Sequence, residues 1–120
     1  MITDPSTCLL AQISRSRRVE QRQQTVLLFW DGRCVCLERD AFACLNRLLA
    51  TGVMELELTR LREGKLCLEQ HPVGHFHLHL EPCCLILPLL DFLNLVQLVR
   101  AANRRLSSEA RPVVPSVIYQ

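Results

Sequence analysis

Shifted by fifty residues, the chain lies over itself without a gap. "VLLFWDGRCVCLERDAFACLNRLL", from Val26, aligns with "FHLHLEPCCLILPLLDFLNLVQLV", from Phe76. Leu28, Cys34, Leu37, Phe42, Leu45 and Leu48 meet Leu78, Cys84, Leu87, Phe92, Leu95 and Leu98. The apolar pattern carries more weight than the identities, because it has period two through two short runs and then helical spacing in both copies. A duplicated hairpin-then-helix unit follows. The first turn, Asp31-Gly32, is a type I′ signal. Pro82 stands where the first unit has Gly32, and proline cannot take positive φ, so the second turn must differ in geometry.

Around this repeat the remaining elements fall into place. "RDAFACLNRLLATG" reads as a helix, with Asp40 as N-cap or first-turn acid and Gly52 as C-cap. "VMELELTR" and "KLCLEQ" read as strands joined by the turn "REGK", and "HPVG" turns the chain again. "LLDFLNLVQLVRAANRRL" is the second helix. "TCLLAQISRSRRVEQRQQ" reads as a strand followed by a polar loop, or as a short helix. The expected architecture is one α+β domain over residues 1–108, with an antiparallel sheet packed against two helices. Its two β-hairpin–helix units span about 24–52 and 74–106, and an extended tail occupies 109–120.

Composition narrows the functional classes. With 49% apolar and 22% charged residues the chain is globular, not disordered. A net charge of +2, from thirteen arginines and the single Lys65 against the acids, is too mild to imply nucleic acid. "SRSRR" reads as a solvated loop, with no interleaved aromatics for stacking. Seven cysteines, an odd number, and an opening "MITDPSTCLLAQ" without a signal-peptide pattern point to reduced thiols in the cytoplasm. The most apolar segment carries Asp91, Asn94, Gln97 and Arg100 along one stripe, which argues against a membrane span. Gly32, Gly52, Gly64 and Gly74 stand singly, leaving no phosphate-cradling loop, and no nucleophile-elbow motif is present.

Strand alternation divides each hairpin into two faces. Val26, Leu28, Trp30, Val35 and Leu37, matched by Phe76, Leu78, Leu80, Leu85 and Leu87, form the core face. The other face holds Thr25, Leu27, Phe29, Cys34 and Cys36, matched by His75, His77, His79, Cys84 and Ile86. It is too weakly polar for a solvated surface, so cover by another element or a second subunit is expected. Leu27, Phe29, Cys34, Cys36, His77 and His79 are the expected interface residues, with the tail as an adjunct.

The same face offers chemistry. His77 and His79, two apart on a strand, with Cys84 across from His79, have the donor softness for zinc. His75 lies roughly 13 Å from His79 along the strand, too far to share one ion with both of the others. Cys84 with His79 as base is conceivable as a thiol pair, but nothing nearby lowers the thiol pKa. Cys34 and Cys36 read as small apolar residues of a buried face.

The second unit resembles small uncharacterised bacterial families in which an aromatic-x-Leu strand, a tight turn and a Leu-x-Leu strand lead into a helix opening with acid-Phe. Here those residues are Phe76, Leu78, Leu85, Leu87, Asp91 and Phe92. The resemblance covers about a quarter of the chain and implies a bacterial origin, with no catalytic activity to carry over. The expected function is that of a non-enzymatic protein without a cofactor, acting through homodimerisation and association with another protein. The alternative is a zinc-binding or metal-sensing protein using His77, His79 and Cys84.

Overall fold

The computed structural model describes residues 7–55, 60–71, 74–81 and 83–110, with residues 107–110 as backbone only. Four strands come first: β1 (Thr7–Ser14), β2 (Arg17–Arg22), β3 (Thr25–Trp30) and β4 (Arg33–Glu38). Helix α1 (Arg39–Met54) follows. The order then recurs with β5 (Arg60–Glu63), β6 (Leu66–His71), β7 (His75–His79), β8 (Cys84–Pro88) and helix α2 (Leu89–Ala110). The α+β class is as expected. Instead of one sheet there are two, each a four-stranded antiparallel meander in the order β1-β2-β3-β4 and β5-β6-β7-β8.

The core face is the one that alternation assigns. Val26, Leu28, Trp30, Val35 and Leu37 are buried, as are Phe76, Leu78, Leu80, Leu85 and Leu87. Asp31 and Gly32 have φ of 51° and 90°, the double positive φ of a type I′ turn. Pro82 and the central Pro72 and Val73 of "HPVG" fall outside the described residues, yet the register of the second hairpin, His79 opposite Cys84 and His77 opposite Ile86, is the expected one.

The helices decide how the halves combine. α1 lies on β3 and β4 of its own half and on β5 and β6 of the other. α2 lies on β7 and β8 and crosses to β1 and β2, and the two helices touch. Each helix therefore covers the last hairpin of its own half and the first hairpin of the other.

Three expectations need correction. The polar segment after β1 is a strand, β2, not a loop or helix. Val19 is the apolar residue it buries, opposite Leu28, while Arg18 and Glu20 face outward opposite Phe29 and Leu27. Arg18 lays its guanidinium 4.0 Å over the Phe29 ring and pairs with Glu20 at 2.7 Å, so long polar side chains supply the cover of that face. Arg17 chelates Asp31 at 2.9 and 2.8 Å, reaches Asp91 at 3.2 Å and stacks 4.2 Å over Trp30. Two arginines of "SRSRR" are thus engaged within the chain. Asp31 is held below the usual carboxylate range, chiefly by its hydrogen bonds from Arg17 and against the opposing effect of burial.

Gly52 is the second correction: it does not cap α1, which runs on to Met54 and takes in the first two residues of "VMELELTR". Residues 56–59 of that segment lie outside the described residues. A Cβ on Gly52 would come 2.5 Å from Leu68 Cδ2 and 3.3 Å from Phe92 Cζ, so glycine permits the close crossing of α1 over β6. Fifty residues on stands Ala102, equally buried. Gly52→Val should lower stability by about 2 kcal/mol, measured by urea unfolding, because Leu68 and Phe92 are too enclosed to yield. A third correction concerns the end of the domain. α2 extends to Ala110, past residue 108, and residues 111–120 of the expected tail lie outside the described residues. No helix among the described residues is long and apolar enough to cross a membrane.

Candidate functional site

The outer face of the second sheet collects all four histidines of the chain, together with Cys67, Glu69 and Cys84. Pairing of β6 with β7 sets Cys67 opposite His79, Glu69 opposite His77 and His71 opposite His75. On one flank β5 places Arg60 opposite Glu69. On the other β8 places Cys84, Ile86 and Pro88 opposite His79, His77 and His75. Because paired residues share a face, all of these side chains project to the same side.

Within that array Glu69, His71 and His77 form a cluster whose donor atoms all lie within 4.8 Å of one another. The His71 and His77 rings sit 3.9 Å apart between centroids and are tilted by 31°. His71 is only half-buried, but its Nε2 is shielded from solvent and has no hydrogen-bond partner. It stands 3.8 Å from Glu69 Oε1, too far for a hydrogen bond. A shielded nitrogen without a hydrogen bond is an unmet cost that a coordinated cation would remove. Two imidazoles and a carboxylate also suit a divalent ion of the zinc class.

Glu69 is held from both sides. His79 Nε2 lies 3.2 Å from Oε1, and Arg60 Nε lies 3.4 Å from Oε2. Its carboxyl sits below the usual range, first because of the His79 hydrogen bond, with the charges of His79, Arg60 and His71 adding to it. An anionic carboxylate is the form that binds metal.

The expected ligand set was His77, His79 and Cys84. The structure brings His77 into the cluster and sets His79 on Glu69, and Cys84 stays outside it. Burial pushes the Cys84 thiol up, with Arg33 opposing only in part, while the Arg33 side chain donates to the Cys84 carbonyl at 2.7 Å. That environment does not favour a thiolate, and His79 is turned to Glu69, so the nucleophile–base pair is not assembled. Glu69 and His71 were missed because only the β7–β8 register was considered. The short "HPVG" connection was the available signal: it sets His71 against His75 and hence Glu69 against His77.

The six expected interface residues are distributed differently. Leu27 is buried within the chain and Phe29 lies beneath Arg18. Cys34 and Cys36 are exposed on edge strand β4, with no cover from within the described residues of the chain. His77 and His79 are half-buried on the second sheet. Large exposed apolar side chains lie elsewhere: Ile86 on the outer face of β8, and Leu89, Leu90 and Leu93 on the first turns of α2, at 62, 50, 70 and 38% exposure. Searches against protein-family models, curated proteins and solved structures returned no match to this chain.

Proposed function

We propose that this chain is a non-enzymatic protein that acts by association, first with a second copy of itself, through the exposed side of the start of α2. One observation carries this reading. Fifty residues earlier, the positions of Ile86, Leu89, Leu90 and Leu93 hold Cys36, Arg39, Asp40 and Ala43. The first half builds the same strand and helix without large apolar groups there, so the fold does not require them. Exposed leucines on the first turns of α2 that folding does not need mark a contact surface. Seven cysteines with no disulfide among them support a reducing, cytoplasmic setting.

Sedimentation of the full chain at micromolar concentration, in zinc and separately in EDTA, tests the association. A dimer is expected, and Leu90→Glu should return it to monomer with stability unchanged within about 0.5 kcal/mol. A monomer under both conditions overturns the reading. A second reading, zinc binding on the outer face of the second sheet, is favoured by the Glu69–His71–His77 cluster and the His71 nitrogen that makes no hydrogen bond.

A further inference from the structure

We infer that the outer face of the second sheet binds a small oxyanion of the phosphate class, in the hollow beside Glu69, when an ion of the zinc class occupies the Glu69–His71–His77 cluster. This rests on the zinc-binding reading and adds the ligand that the ion and its surroundings hold together. Three protein donors leave at least one of zinc's four positions open, as in sites that take a water or a substrate. Among the described residues no fourth side chain joins the group.

The hollow has a volume of about 380 Å³ and is lined in part by Arg60, Arg62, Lys65, Glu69, His79 and Glu81. Strand pairing sets it on the same face as the cluster. Arg62 stands opposite Cys67 and Cys67 opposite His79, in the row next to the one where Arg60, Glu69 and His77 face one another. Glu69 belongs to both groups, so an ion at the cluster stands at the wall of the hollow.

Charge makes the ion a condition for the anion. Without it, Glu69 and Glu81 oppose the three cations of the hollow, and Arg60 is drawn to Glu69 at 3.4 Å. With His79 neutral, a divalent ion on Glu69 raises the local sum from one positive charge to three, and such an ion is the largest single charge in its surroundings. Arg62 and Lys65 are exposed and form no ion pair with a described residue, so both are available to a ligand. Burial pushes the Cys84 thiol up, so it adds no negative charge. Alternate residues of a strand lie about 6.6 Å apart on one face. A phosphate spans that step, with one oxygen about 2.0 Å from the ion and another about 2.8 Å from a guanidinium. Its tetrahedron of oxygens reaches the ion and two cations at once.

The test uses the full chain loaded with one equivalent of cobalt(II), which takes the ligands of zinc and absorbs visible light, and titrated with inorganic phosphate. Expected is one ion per chain, a visible spectrum that shifts and saturates with phosphate, and calorimetric phosphate binding at least tenfold weaker in EDTA. His77→Ala should bind no ion at the cluster. Arg62→Ala and Lys65→Ala should each keep the ion and weaken phosphate binding more than threefold, and the double variant more than tenfold. If no ion is bound, the zinc reading falls and this inference with it. A bound ion whose spectrum ignores phosphate, or is lost to phosphate, overturns the inference and leaves metal binding intact. Equal phosphate binding in EDTA overturns the dependence on the ion. An unchanged response in the double variant shows that the hollow takes no part and also overturns the inference. Thermal unfolding of each variant confirms that the fold is retained.

Discussion

A chain that ends at Glu55 should show no cooperative urea transition and the circular dichroism of an unfolded polypeptide. The reason is the exchange of helices. In that fragment β1 and β2 lose α2, which uncovers Leu10 and Val19, at 4% and 0% exposure in the whole chain. α1 in turn loses β5 and β6, where Leu68 and Leu61 approach Gly52. Fully burying one such side chain is worth about 1.5–3 kcal/mol, and a domain's net stability is only about 5–15 kcal/mol. Removing several covers at once exceeds the whole margin. The complementary fragment from residue 56 should fail for the same reason, and mixing the two should restore structure. A cooperative transition in either fragment alone shows that the halves are independent and that the exchange is not what holds them.

Phe92→Ala should cost about 3–5 kcal/mol, read as a lower urea midpoint at unchanged slope. Phe92 is fully buried, stacks on Phe76 with centroids 3.9 Å apart and planes 9° from parallel, and lies against the point where α1 carries Gly52. It joins β7, α1 and α2, so the cavity opens where both halves meet and cannot collapse onto one of them. Probes in the two halves, such as Trp30 fluorescence and signals from β7, should lose structure at the same urea concentration. A cost below about 1 kcal/mol means that neighbouring side chains refill the space. Asp91, just before Phe92, accepts from Arg17 of β2, so adjacent residues at the start of α2 tie it to both sheets.

Legibility differed between the inner and outer faces for a physical reason. Val26, Leu28 and Trp30, like Phe76, Leu78 and Leu80, declare their burial by alternation, and the hairpin turn at Asp31-Gly32 declares its own positive φ. β2 gave no such signal, since its strand state comes from pairing on both sides while its outward side chains are long and charged. Gly52 looked like a helix end because glycine caps helices. Its actual role depends on Leu68, sixteen residues away and in another sheet. The donor cluster was half visible: His77 stood out among the histidines of β7, whereas Glu69 and His71 acquire meaning only through the β6–β7 register. Cys34 and Cys36 are exposed within the single chain, and nothing in a strand's own sequence says whether a second layer covers its outer face.

By itself the sequence determined which side of each strand in the repeat is apolar and where the helices lie. Both follow from side-chain spacing along a backbone whose periodicities are set by covalent geometry. The tertiary structure decided which helix covers which hairpin. Two halves with the same pattern are locally interchangeable, and only the simultaneous packing of α1 on β5 and β6 and of α2 on β1 and β2 selects between covering one's own first hairpin and covering the other's. The second four-stranded sheet decided the candidate site in the same way. It brings Glu69 and His71 beside His77 by pairing strands, a relation that no single strand contains.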